Sequence, residues 1–179
     1  MKVLVVVDMQ HDFVDGVLGT PEAQAIVPNV AMKVARYRGD VDSVILYTRD
    51  THYDNYLETL EGKNLPVPHC IYGTKGWEIV PEVYIEGDTA VVNKHTFGCY
   101  NIANHIQALA ARCYESLEID SIEIVGLCTD ICVVSNALIL KSVFTDIPII
   151  VDSACCAGTS PSAHEKALDT MMSCQIEVR

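Results

Sequence analysis

Short, unbroken runs of apolar, mostly β-branched residues recur along this chain with stretches of helical periodicity between them, and that alternation constrains its fold more than any other feature. The runs are Val3–Val7, Val44–Tyr47, Thr89–Val92, Ile122–Val125 and Ile147–Val151, with a weaker sixth at Gln175–Val178. Continuous apolar character marks strands buried on both faces, which is the habit of parallel sheets. Between them lie Pro28–Tyr37, with Val30, Val34 and Tyr37 at helical spacing, and Tyr100–Tyr114, with Ile102, Ile106, Leu109 and Cys113. Ile131–Val143 is apolar nearly all round and predicts a buried helix, and His164–Met172 predicts a last one, entered near Pro161 and Ser162. Strands alternating with helices imply βαβ units with right-handed crossovers. The predicted fold class is α/β: a three-layer α/β/α sandwich with a central, mostly parallel six-stranded sheet.

A chain of 179 residues, half of them hydrophobic and a fifth charged, fits one domain over 1–179 with one sizeable core. The net charge of −12 gives an acidic surface that repels phosphate backbones and anionic bilayers, so no nucleic acid and no membrane is expected as a partner. Val3–Val7 is too short for a signal segment or a membrane span, and no other run is long enough to cross a bilayer. The eight cysteines are therefore expected as reduced thiols of a cytoplasmic protein, most of them buried and inert.

The stretch from Thr51 to Glu82 breaks the alternation. It carries Pro66, Pro68, Gly73, Gly76 and Pro81, two histidines and several acids. A loop of this length in a compact domain is usually functional. Ligands of open parallel sheets bind at the carboxyl ends of the strands, so the residues following each run are the candidates. After the first come Asp8, Gln10, Asp12 and Phe13; after the second Arg49, Asp50 and His52; after the third Asn93, Lys94 and His95. The fourth leads into Gly126, Cys128, Thr129, Asp130 and Cys132, the fifth into Asp152, Ser153 and Cys155.

Singly these residues have plain readings: Asp8 as a turn carboxylate, Lys94 as a surface lysine, Cys132 as a buried thiol. Together they compose a nucleophile with a base and a cation. Cys132 follows a strand and a glycine-containing turn at a predicted helix start, where exposed N–H groups lower a thiol pKa. Lys94 would stabilise the thiolate further and Asp8 could take the proton. The backbone N–H groups of Cys128 and Cys132 can form an oxyanion hole, each donor contributing about 3 kcal/mol.

The segments V-V-D-M-Q-H-D-F at 6–13, K-H-T-F at 94–97 and G-L-C-T-D-I-C-V at 126–133 resemble the isochorismatase-like cysteine hydrolases, in the expected order and over essentially the whole chain. The last motif is the most specific. The resemblance implies a Rossmann-like fold, Asp8 as general base, Lys94 as its electrostatic partner, Cys132 as nucleophile, and a non-proline cis peptide at Leu127–Cys128. Within the family, T-R-D-T-H at 48–52 and P-V-P-H-C at 66–70 look like the nicotinamidase branch. That branch implies a divalent metal on Asp50, His52 and His69, with Glu61 as fourth ligand and Glu58 or Asp54 as rivals. Alternation along an extended segment puts Asp50 and His52 on one side. The donor set suits zinc, iron or manganese, Zn²⁺ first.

The resemblance further implies a small-molecule amide substrate, with nicotinamide giving nicotinate and ammonia in an NAD salvage route. Phe13 matches a pocket position, and Trp77, Phe97 and Tyr100 are further aromatic candidates. Oligomers are common among relatives, and the apolar helix near Cys132 would tolerate one. Two other readings stand beside nicotinamidase: a cysteine amidohydrolase acting on a carbamoyl or ureido compound, which absence of the metal would favour, and a non-catalytic binding protein of this fold. K-H-T-F departs from forms with proline or arginine after the lysine. His11 and His95 are expected near the pocket, His105 and His164 exposed on helices. Cys155 and Cys156 could flank the site, while Cys70, Cys99, Cys113 and Cys174 are expected to be structural.

Overall fold

The computed structural model of the chain describes residues 1–84, 90–113 and 118–179. Thr89 of the third predicted strand, Tyr114 of the second predicted helix and the side chain of Cys113 lie outside the described residues.

All six apolar runs form strands: β1 (Lys2–Val7), β2 (Ser43–Asp50), β3 (Ala90–Lys94), β4 (Ser121–Leu127), β5 (Ile149–Ala157) and β6 (Glu177–Val178). They make one sheet in the order β3-β2-β1-β4-β5-β6, with every adjacent pair parallel. The helices are α1 (His11–Val14), α2 (Pro21–Arg38), α3 (Leu60–Asn64), α4 (Ile102–Cys113), α5 (Val134–Val143) and α6 (Pro161–Ser173). β1 is buried on both faces. Val3, Val5 and Val7 pack with Ile102, Ile106, Ala137, Leu140 and Met171, while Leu4 and Val6 pack with Ile26, Val30, Val34 and Tyr37. Period-two alternation thus sends one strand into two cores, each fully buried side chain contributing roughly 1.5–3 kcal/mol. Among the described residues no helix is long and apolar enough to cross a membrane.

Several boundaries differ from the sequence reading. α2 begins at Pro21, not Pro28: Thr20 caps it, its hydroxyl accepting from the Ala23 amide at 3.0 Å, and Pro28 lies inside the helix. Ala23 and Ile26 continue the buried stripe of Val30, Val34 and Tyr37, so packing carries the helix through the proline. The predicted Ile131–Val143 helix is instead a π-helical turn (Thr129–Val133) leading into α5. α6 starts at Pro161, capped by Ser160. β2 runs on to Asp50 because Arg49 and Asp50 pair with Asn93 and Lys94.

The connection order reverses between β1 and β4, since β2 and β3 lie to one side and β5 and β6 to the other. A crevice at the carboxyl ends of such strands is where open α/β sheets bind ligands. Gly126 makes the close approach there possible. Its φ is +119°, and a Cβ on it would stand 2.1 Å from the Val7 carbonyl oxygen. The 51–82 segment folds over this edge. His52 donates its amide to the Cys70 carbonyl at 3.0 Å and accepts from Tyr72 at 2.8 Å, and Gln10 bridges antiparallel to Ile79.

Candidate active site

Asp8 ends β1 with φ +47°, a left-handed conformation that aspartate tolerates better than bulky residues. It is fully buried. Thr48 of β2 donates its hydroxyl to Asp8 Oδ1 at 2.7 Å, which orients the carboxylate. Asp8 Oδ2 lies 2.7 Å from Lys94 Nζ in a buried ion pair. Lys94 Nζ also stands 3.4 Å from Cys132 Sγ. Three side chains from the ends of β1 and β3 and the turn after β4 therefore meet in one buried place.

Their electrostatics correct one sequence expectation. The Cys132 thiol is pushed up, not down: burial dominates, the Asp8 charge adds to it, and Lys94 opposes both. Cys132 is the fourth residue of the π-helical turn, with its side chain in the core. Asp8 is likewise raised by burial, against the pull of Lys94. Lys94 is raised well above its ordinary value because burial is outweighed by Asp8, Cys132 and Asp50. The resting set is thus a lysine held charged beside a carboxyl and a thiol that burial raises.

The Leu127–Cys128 peptide is cis. The Cys128 carbonyl accepts from the amides of Ile131 at 3.1 Å and Val133 at 3.0 Å, which flank Cys132. Asn136 takes the Cys132 carbonyl through Nδ2 at 2.8 Å and the Cys99 amide through Oδ1 at 2.9 Å, pinning the turn from below. On the outer side, Asp130 accepts from the Thr159 amide at 2.9 Å and the Thr159 hydroxyl at 2.6 Å.

Beside this set, Asp50, His52, Glu61 and His69 each offer one ligand atom, all within 4.8 Å of one another. His52 Nε2 is 3.1 Å from Asp50 Oδ2 and 3.5 Å from Glu61 Oε1; His69 Nε2 is 3.7 and 3.8 Å from the same atoms. Two ligands at about 2.0–2.1 Å from one tetrahedral zinc stand about 3.4 Å apart, so the set fits a divalent metal. His69 Nδ1 donates to the Val67 carbonyl at 2.8 Å, which fixes the tautomer with Nε2 free to ligate. Burial lowers His52, yet the Asp50 and Glu61 carboxylates outweigh it and raise the ring to about 9. Burial pushes Asp50 up, but His52, His69 and Lys94 bring it well below the ordinary carboxylate range. Of the three acids named from sequence as fourth ligand, Glu61 is the one in this group; Glu58 and Asp54 are not.

A cavity of about 790 Å³ opens over both sets, lined by Phe13, Asp50, Glu61, His69, Phe97, Cys128 and Cys132 among others. Phe13 lies edge-on to the His69 ring at 5.5 Å. Two aromatic expectations are corrected. Tyr100 is 83% exposed and does not line the cavity. Trp77 does not line it either: its Nε1 donates to Thr51 Oγ1 at 2.9 Å, and Arg49 stacks on its ring at 3.7 Å. His95 lines the cavity, its Nδ1 against the Thr51 carbonyl at 2.8 Å, whereas His11 does not and sits by Asp15. His105 and His164 are partly buried rather than exposed, His164 through a 2.8 Å bond to Thr129 Oγ1. Cys155 and Cys156 are buried in β5 and do not line the cavity, while Cys174 is exposed and so not a core thiol.

The sequence reading named Gln10 among the residues after the first strand but gave it no role. It is wholly buried; its Oε1 accepts from the Asp50 amide at 2.7 Å, and its Nε2 donates to the Asp50 and Trp77 carbonyls, both at 2.9 Å. The signal was an uncharged amide two residues beyond the strand-ending acid, inside the first motif.

The chain matches the isochorismatase domain over residues 2–179. It is 25% identical over 189 residues to the nicotinamidase/pyrazinamidase of Mycobacterium tuberculosis, covering 99% of this chain and 98% of that protein. Its structure is similar to that of the pyrazinamidase of Pyrococcus horikoshii in complex with zinc, with a TM-score of 0.80, 25% identity and coverage of 99% and 98% of the two chains. It is similar in fold to the N-carbamoylsarcosine amidase of Thermoplasma acidophilum, with a TM-score of 0.75, 24% identity and coverage of 99% and 95%.

Proposed function

The chain belongs to the isochorismatase family, and from that premise we propose that residues 1–179 act as one hydrolase domain, a metal-containing cysteine amidohydrolase converting nicotinamide to nicotinate and ammonia. The observation that carries this reading is the juxtaposition of two complete sets under one cavity: Asp8, Lys94 and Cys132, and Asp50, His52, Glu61 and His69. The similarity to nicotinamidase/pyrazinamidase proteins supports the substrate.

Asp8 takes the thiol proton while Lys94 holds the developing charges, and the Cys132 sulfur attacks the amide carbonyl. The Cys128 and Cys132 amides receive the oxyanion. Asp8 returns its proton to the leaving nitrogen, and a water activated by Asp8 then opens the Cys132 thioester. Asp50, His52, Glu61 and His69 would hold the metal, Zn²⁺ by the chemistry of the set, which supplies an electrophilic anchor for a ring nitrogen. Phe13 and Phe97 pack against the ring.

The carbamoyl or ureido reading has less support. N-carbamoyl amino acids carry a carboxylate, and among the described residues no lysine or arginine lines the cavity. The test is ammonia release from nicotinamide by the zinc-loaded protein beside Cys132→Ala. Release by the first alone supports the reading; equal release by both removes it.

A further inference from the structure

The cavity lining reaches from the end of β2 at Asp50 to the residues that follow β5. In the sheet order, Asp50 ends β2, Asp8 ends β1, Cys128 and Cys132 follow β4, and Gly158 and Thr159 follow β5. Adjacent strands lie about 4.8 Å apart, so the lining continues roughly one strand spacing beyond the strand that leads to Cys132, on the side away from the metal set. On that side the cavity lining includes Gly158 and Thr159, Leu127 of β4, and Ala23, which packs in one buried cluster with Leu127 and Ala157. Thr20 and Leu18, shortly before Ala23 in the chain, line it too, and together these residues form the far compartment. Its hydroxyls are engaged: Thr20 Oγ1 accepts from the Ala23 amide, and Thr159 Oγ1 donates to Asp130. Among the described residues it holds no charged side chain.

An amide carbonyl carries its acyl ring on one side and its leaving nitrogen on the other. With the ring toward the metal set and the carbonyl at Cys132, the nitrogen points into this compartment. Ammonia would leave it unfilled. Resting on the amidohydrolase reading above, we infer that the enzyme accepts secondary amides whose leaving amine bears an uncharged apolar group, seated against Leu18 and Ala23. The step balances: the carbon–sulfur bond to Cys132 forms, the carbon–nitrogen bond breaks, and the thiol proton reaches the amine through Asp8. Water then yields the acid and restores the thiol.

The experiment compares nicotinamide with N-propylnicotinamide on the zinc-loaded protein, reading nicotinate. The expected kcat/KM for the propyl amide is within tenfold of that for nicotinamide or above it. Leu18→Trp and Ala23→Leu, which fill the compartment, lower the propyl-to-unsubstituted ratio at least tenfold. Both rates are read on one protein, so misfolding lowers both and leaves the ratio. Hydrolysis of nicotinamide with the propyl amide more than tenfold slower overturns the inference and leaves the nicotinamidase reading standing, as does a ratio unmoved in both variants. Nicotinate from neither substrate overturns both.

Discussion

Asp50 and Lys94 are register partners on the parallel strands β2 and β3, and their side chains meet at 3.4 Å. Asp50 turns its other oxygen to His52 at 3.1 Å and His69 at 3.7 Å, while Lys94 turns on to Asp8 and Cys132. One carboxylate therefore joins the metal set to the thiol set, and sheet register holds the joint.

The Asp8 carboxyl is raised above its ordinary value of 3.8 by burial, with Lys94 pulling it back. A base raised in this way loses its function as pH falls through that higher value. The acid limb of kcat/KM is accordingly expected above 3.8 in a pH–rate profile. Asp8→Asn lowers kcat by about a thousandfold or more, as loss of a general base and proton relay does. Lys94→Met removes the opposing cation, so the acid limb of Cys132 alkylation by iodoacetamide moves to higher pH. A limb at or below 3.8 in the parent would contradict the burial argument.

Gln10 bridges the Asp50 amide and the Asp50 and Trp77 carbonyls. Gln10→Leu keeps the volume and strips all three bonds. Each orphaned buried group costs about 1–3 kcal/mol, and supporting residues of this kind change metal affinity by about 10–100-fold. Zinc titration calorimetry and thermal melts check both; an unchanged zinc affinity would show that Asp50 is placed without Gln10.

Zinc addition is expected to raise Tm, because a ligand bound by the folded state alone stabilises it by about 2.7 kcal/mol at a hundred times Kd. His69→Ala removes one of four donors and abolishes the rise. The gain grows with pH in the parent, since zinc must displace the proton that the carboxylates hold on His52 up to about 9. Equal zinc-induced shifts in parent and variant would dismiss the site.

His164 is lowered from 6.5 by burial. Its folded state thus resists the proton that the unfolded chain accepts. The stability contribution is complete above 6.5 and lost as pH drops below it. His164→Asn, which keeps a partner for Thr129, is expected to flatten the loss of urea midpoint between about pH 7.5 and 5.5. An equal loss in both proteins would place the acid sensitivity elsewhere.

Much of the architecture was legible in one dimension. Unbroken apolar runs at Val3–Val7 and Ile122–Val125 identify strands covered on both sides, because polar positions in them would have no water to face. Motif order then places Asp8, Lys94 and Cys132 at strand ends. Less legible were segments held by distant partners: the start of α2 at Pro21, the π-helical turn at Thr129–Val133, and the loop carrying Glu61 and His69.

What the sequence alone determined was the alternation of strand and helix, and with it the sheet edge where the reactive side chains gather, since periodicity and burial are local properties. Only the tertiary structure decided that Glu61 joins the two histidines, that Gln10 braces Asp50, that Trp77 and Tyr100 stay outside the cavity, and that burial raises the Cys132 thiol. Those outcomes depend on register between strands, on how one long loop folds over them, and on how little water reaches the place where they meet.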